Sequence, residues 1–285
     1  MEDTTKFLQA LELDMVKELV RLCDKHHLTC FMAGGTFLGA VRHKGFIPWD
    51  DDIDMGMYRK DYDKFLKIAE TELPYPYKIQ TYQNTDSHHY YFSHIVDTRY
   101  KVRRLGSLDK REEYVWIDIF PYDGLPNGVG GDIFYLRLLF CRFCYHMAHF
   151  DKINIARKDR ALWQRIVLKM LLLVHKLFQF DKDKWINKID ALLKSNDLQD
   201  CDRVMSFMGL KLHKEILPRE IYDNLVSYPF ENIELKAPAD SDTVLRQMYG
   251  EYRKLPPEDK RHSHPMDIIN ENIENDDQRK KNIGN

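Results

Sequence analysis

Residues Ala33–Met57 read AGGTFLGAVRHKGFIPWDDDIDMGM, and no other stretch restricts the fold as strongly. The apolar run Thr29–Ala33 stops at Gly34-Gly35, the pattern of a strand entering a tight turn. Thr36–Arg42 is long enough for a short helix, and Pro48 breaks the loop Phe46–Trp49. Ile53, Met55 and Met57 then alternate with other residues at the strand period. A Gly-Gly turn that opens a helix at Thr36 offers backbone N–H groups able to cradle phosphate. On the following strand, Asp52 and Asp54 share one face while Ile53 and Met55 point to the core. Strand rise places the two carboxylates about 7 Å apart, a spacing that can share or bridge divalent cations. Their like charges make such a pair costly without a cation. Asp50 and Asp51 read equally well as a solvated acidic turn.

The rest of the chain organises around that segment. Phe7, Leu8, Leu11, Met15, Leu19 and Leu22 recur at helical spacing and predict an amphipathic helix over residues 5–27. A helix over about 60–71 follows the acidic strand, and strands are expected at 77–82, 91–96 and 114–120. Pro121, Gly124, Pro126 and Gly128 mark a boundary. From about 132 to 195 the pattern is helical, broken near 151–159 and at Asp181. Another helix is expected at 241–248, and residues from Asp267 onward read as a frayed tail. The expected division is therefore 1–128, 129–200, 201–266 packing back on the first part, and a tail at 267–285.

Charge sharpens this division. The 285-residue chain carries 43 Lys+Arg against 45 Asp+Glu, so its net charge is −2. Residues 129–178 hold 9 basic and 3 acidic residues, whereas the segments before and after each hold 17 and 21. Near-neutrality excludes a strongly basic nucleic-acid binder, and no nucleic-acid partner is expected. Five Cys favour a reducing compartment. The first residues lack the basic-then-apolar order of a signal peptide, and no run of about 18 uncharged apolar residues exists. The expected location is cytoplasmic, at the inner face of the membrane.

A third carboxylate, Asp118, sits alone in the apolar run Val115–Phe120, where an unpartnered carboxylate is expensive. Three Asp from two strands beside a Gly-Gly turn meet the needs of two-metal phosphoryl chemistry. The order Gly-Gly, Asp-x-Asp, later strand Asp resembles the polymerase-beta type of nucleotidyltransferase fold. The string GGTFLGAVRHKGFIPWDDDID resembles, more narrowly, the LicD family of phosphocholine transferases, related to the fukutin-type proteins. WIDIFPYDGLP (Trp116–Pro126) and the segment from Ala237 to His264 extend the resemblance.

That resemblance implies an α+β fold with a nucleotidyltransferase-like mixed sheet, plus a mainly helical module. It implies transfer of phosphocholine, or another phospho-alcohol, from CDP-choline or another CDP-alcohol to a hydroxyl of a cell-surface glycan such as lipopolysaccharide or teichoic acid, with CMP released. The alternative is a nucleotidyltransferase attaching a nucleotide to a small molecule or protein. By the family's motif, Asp52, Asp54 and Asp118 match the metal-binding and catalytic carboxylates, with Mg²⁺ or Mn²⁺ as two ions. Gly34, Gly35 and Thr36 match the phosphate turn. Arg42, His43 and Lys44 bring positive charge near it, and a late loop is expected to bring Arg261 and His264 near phosphate. Aromatic faces hold quaternary ammonium groups, so Trp49, Tyr58, Trp116 and Tyr122 are candidates for choline.

Two further patterns stand apart. Cys141-x-x-Cys144 with His146 and His149 mimics a zinc motif, but all four lie in one helical run, and core cysteines are the expected reading. The apolar stripes of 134–150 and 162–178, flanked by Arg and Lys, read either as a packed subdomain with a basic face or as helices lying on anionic lipid.

Overall fold

The computed structural model describes residues 2–104, 112–148, 161–207, 209, 212–261 and 266–269. It is an α+β protein whose chain divides into two compact units, one formed by 1–122 with 205–285 and the other by 123–204.

The first unit opens with helix α1 (Glu2–Lys25), which buries Leu8, Met15, Leu19 and Leu22 on one face. Strand β1 (Cys30–Met32) leads into α2 (Gly34–His43), and β2 (Asp54–Tyr58) into α3 (Arg59–Glu72). Strands β3 (Tyr77–Gln80), β4 (Ser93–Arg104) and β5 (Glu112–Leu125) follow. The sheet path is β1-β2-β5-β4. The β2–β5 pair is parallel, whereas β1–β2, β3–β4 and β4–β5 are antiparallel. Ile53, Met55, Met57, Ile95, Ile117 and Ile119 are fully buried and form the sheet side of the core.

The strand begins at Asp54 rather than at the residues before it, so Asp52 lies on extended chain just outside the regular ladder. The reason is local: the Asp54 backbone N–H donates to Thr36 Oγ1 at 2.7 Å, and Asp118 N donates to Ile53 O at 2.8 Å.

In the second unit, α4 (Gly128–Met147), α5 (Leu162–Leu177) and α6 (Lys182–Leu193) are the long helices. Strand β6 (Arg203–Met205) ends at the unit boundary. Cys141 and Cys144 are buried on α4, and burial pushes both thiols up. His146 is exposed, and His149 lies outside the described residues.

Back in the first unit, β7 (Ile216–Pro218) and α7 (Arg219–Asp223) precede the hairpin β8 (Leu225–Phe230) and β9 (Ile233–Pro238). Its tip clamps the loop after α2: Glu231 N donates to Lys44 O at 2.9 Å, and Phe46 N donates to Glu231 Oε1 at 3.0 Å. A Cβ at Gly45 would lie 2.1 Å from Glu231 Oε1, so only glycine admits this contact. Helix α8 (Ser241–Tyr249) follows. Strand β10 (Met266–Ile269) pairs antiparallel with residues 101–104 of β4. The tail expected from Asp267 onward is thus a sheet strand as far as Ile269, because Ile268 and Ile269 continue the ladder; residues 270–285 lie outside those described.

Candidate functional site

The site grows from the turn between β1 and α2. Gly34 adopts φ +48°, a conformation disfavoured for any residue with a Cβ. A Cβ there would lie 2.1 Å from Asp54 Oδ2, so the Asp54 carboxylate rests directly over the first turn of α2. Gly35 N donates to Asp54 Oδ2 at 3.2 Å. Asp54 therefore takes the anion's place at a helix N-terminus that the sequence assigned to phosphate. The Thr36 hydroxyl oxygen accepts from the Asp54 backbone N–H and ties the start of α2 to the start of β2.

Asp54 and Asp118 are register partners on the neighbouring parallel strands β2 and β5. Adjacent strands run about 4.8 Å apart, so this cross-strand pair is tighter than the along-strand pair expected from alternation. Burial pushes the Asp54 carboxyl well above the usual carboxylate range, and the charges of Asp52 and Asp118 push it further, against the Gly35 N–H. Asp118 Oδ1 is buried without an aligned hydrogen-bond donor and meets His94 Nε2 at 2.9 Å. A buried carboxylate oxygen beside a second carboxylate suits a divalent cation. Among the described residues, however, no group of three or more His, Cys, Asp or Glu side chains gathers as a ready metal cage. The built element is the pair, with Asp52 close enough for its charge to act on it.

Several residues at this site were not among the candidates. His94 faces Asp118 across the antiparallel β4–β5 ladder and stacks on Trp116 at 5.5 Å. Its neighbour His88, 4.4 Å away, is pushed down to about 3 by burial and by His94, and so is uncharged at neutral pH. Tyr249 is raised by burial and then by the charges of Asp54, Asp50 and Asp52. Glu12 is 3% exposed on α1, with Oε2 unpartnered, and lines a small cavity with Asp51 and Trp116. The signal for Glu12 was present in the sequence. It stands four residues after Leu8 and three before Met15, on the apolar face of its helix.

Burial first, then Asp52, Asp51, Asp50 and Asp118, raises the Glu12 pKa well above normal. A raised carboxyl stabilises the fold below its unfolded pKa and loses that contribution as pH climbs through the folded value. Each pH unit in that window is worth about 1.4 kcal/mol. Glu12→Gln is therefore expected to melt higher than the parent at neutral pH and to flatten the pH dependence of the melting temperature above about pH 4.5. Parallel melting profiles for the two proteins between about pH 5 and 8 would contradict this.

Positive charge gathers on the other side of α2. Arg42 donates from Nη1 to Tyr252 O and from Nε to His43 Nε2, both at 2.9 Å. Arg261 lies over the Trp49 ring at 5.2 Å and donates to Pro256 O. Burial lowers both Arg42 and His43, and Arg261 adds to the effect on Arg42. The structure thus brings together Arg42, Trp49 and Arg261. Lys44 instead caps α2 at φ +61° with an exposed side chain, and His264 lies outside the described residues.

Of the aromatic candidates, Tyr122 is a core ring, 5% exposed and packed on Phe31 at 4.9 Å and Tyr222 at 5.3 Å. The ring finds room in the core because a Cβ at Gly56 would lie 2.7 Å from Tyr122 Cε2, so the glycine leaves that space to it. Tyr58 belongs to the same cluster and donates to Tyr222 O. Trp49 already carries a guanidinium, so its face is closed to choline while that contact holds.

The first unit is thus an α+β protein with a mixed sheet whose paired strand carboxylates meet a glycine-opened helix N-terminus. Residues 27–149 match the family described as LicD/FKTN/FKRP, nucleotidyltransferase domain. Residues 27–149 thus carry a LicD-type domain, and the chain is a LicD-type transferase. It is 28% identical over 268 residues to the lipopolysaccharide cholinephosphotransferase LicD of Haemophilus influenzae, covering 92% of this chain and 96% of that protein. It is 32% identical over 65 residues to the human ribitol 5-phosphate transferase FKRP, covering 23% of this chain and 13% of the other. An uncharacterised Rickettsia typhi protein, RT0683, is 37% identical over 73 residues, 25% of this chain and 24% of its own.

Proposed function

We propose that this protein transfers phosphocholine, or a related phospho-alcohol, from a CDP-linked donor to a hydroxyl of a cell-surface glycan or its lipid-linked precursor. The observation that carries the reading is the Asp54–Asp118 register pair set at the start of α2. Similarity to a lipopolysaccharide cholinephosphotransferase along most of the chain supports phosphocholine and a glycan acceptor. The shorter match to a ribitol 5-phosphate transferase widens the donor class to phospho-alcohols. Under this reading the nucleotidyltransferase-like core of residues 1–128 carries the chemistry.

In this scheme the acceptor oxygen attacks the phosphorus bearing the alcohol. The bond from that phosphorus to the bridging oxygen breaks, and CMP leaves with that oxygen. Asp118 takes the hydroxyl proton as general base, held in place by the ladder bond from its N–H and by His94. Asp52, Asp54 and Asp118 would hold Mg²⁺ or Mn²⁺, which neutralise developing charge on the diphosphate. Arg42 and Arg261 are placed to offset charge on the departing CMP. Asp54, held at the helix start by the Gly35 N–H, positions the pair.

A thermal-shift screen with Mg²⁺ and CDP-choline, CDP-ribitol, CDP-glycerol or nucleoside triphosphates tests the donor. A true donor at a hundredfold over Kd adds about 2.7 kcal/mol of stability. CMP release that needs both Mg²⁺ and a glycan acceptor is the expected product signature. Pyrophosphate released from a nucleoside triphosphate would overturn the reading in favour of nucleotide transfer.

A further inference from the structure

Among the described residues, 13 of the 18 large apolar side chains that face solvent lie in the unit formed by residues 123–204. Helix α5 buries none of its residues. Leu162, Trp163, Ile166, Met170, Leu173 and Leu177 are each at least 58% exposed. At 100° per residue they fall within an arc of about 100°, one continuous face. Lys169, Lys176 and Arg165 follow in order along one border of that arc, and the helix has no Asp or Glu. On the opposite side His175 Nδ1 meets Met147 O at 2.7 Å, tying the helix to the end of α4 and fixing which face looks outward.

A soluble protein rarely leaves such a face to water, because a contiguous apolar patch of this kind invites burial. A second copy is a poor occupant. A two-fold contact sets identical surfaces against each other, so the basic borders would meet with no acid on either helix to offset them. An anionic bilayer satisfies both features at once: acyl chains take the apolar arc and lipid phosphates take the cations. The net +6 of residues 129–178 matches that sign. With 16 residues the helix is about 24 Å long, and no described helix is long and apolar enough to cross a membrane. We infer that α5 lies in the headgroup plane of an anionic lipid bilayer, with the Leu162–Leu177 stripe buried and Lys169 and Lys176 at the phosphates. This docking does not depend on the transfer chemistry.

Flotation of the full chain with vesicles tests it without any donor or acceptor. Binding is expected to phosphatidylcholine vesicles holding about 30% phosphatidylglycerol, to weaken at least tenfold on pure phosphatidylcholine, and to weaken with added salt. Lys169→Gln with Lys176→Gln is expected to bind about 30-fold more weakly. Ile166→Asp with Met170→Asp is expected to abolish binding at an unchanged melting temperature. Should that pair fail to fold, quenching of Trp163 by brominated lipid in the unaltered chain, absent from Trp163→Phe, reads the same contact. Binding indifferent to lipid charge would overturn the inference. So would a dimer in light scattering that the Asp pair dissociates, with no flotation by the parent.

Discussion

Asp54→Asn is expected to lower transfer by about a thousandfold or more while melting no lower than the parent at neutral pH. The kinetic half follows from geometry. Asp54 sits between Gly35 at the helix start and Asp118 on the next strand, with the charge of Asp52 acting on it. Removing one charge from a metal-holding pair forfeits several kcal/mol of transition-state stabilisation, and each 1.36 kcal/mol is tenfold. The stability half follows from the sign of the shift. Burial and two neighbouring carboxylates raise the Asp54 pKa, so in the cation-free protein its ionised form works against the fold as pH rises. Asn removes that charge and keeps an oxygen for the Gly35 N–H. The cation-free parent is expected to melt higher as pH falls from neutrality, whereas the variant changes less. Added Mg²⁺ is expected to raise the melting temperature of the parent and leave that of the variant nearly unchanged. Turnover within tenfold of the parent would reject the site.

Gly34→Ala is expected to cost about 2–4 kcal/mol of stability and most of the activity. Left-handed backbone costs about 1–2 kcal/mol for a residue with a Cβ, and the forced displacement of Asp54 adds about as much again. The Cβ would lie 2.1 Å from Oδ2 and 3.0 Å from Cγ of Asp54, so the carboxylate must leave the helix start. Gly35→Ala is a close control, since its Cβ would meet only Asp50 Oδ2, at 2.9 Å, the far end of a side chain able to swing aside. Asp54→Gly on the Gly34→Ala background is expected to recover the steric part of the lost stability and leave the backbone part. Denaturant unfolding of the parent, Gly34→Ala, Asp54→Gly and the double variant measures that coupling. Equal melting of Gly34→Ala and the parent would show that the turn adapts.

Much of this arrangement was legible in the residues. Residues 5–27 and 60–71 correspond to α1 and α3, each with one buried face at the helical period, and the apolar run 29–33 to β1, whose three residues are all buried. Asp118 stood out as the single charge in an apolar run. What local pattern could not supply was pairing across distance. Alternation along one strand joined Asp52 to Asp54, whereas the ladder joins Asp54 to Asp118, 64 positions later. His94 reaches Asp118 by the same cross-strand route, which no local pattern marks. Strand β10 was hidden for a similar reason: four residues in a polar stretch find order only by pairing with β4.

The split of the first unit into residues 1–122 and 205–285 sets an order of events at the ribosome. Asp54 and Asp118 emerge early, and the compact unit of residues 123–204 then emerges whole before the first unit can be completed. The clamp at Glu231 and the cation over Trp49 at Arg261 are synthesised after both. The nascent chain therefore carries Asp54 and Asp118 throughout synthesis of the second unit before Glu231 and Arg261 are added. The first unit is completed only after the second has been made, once β10 returns to β4, a strand made long before it.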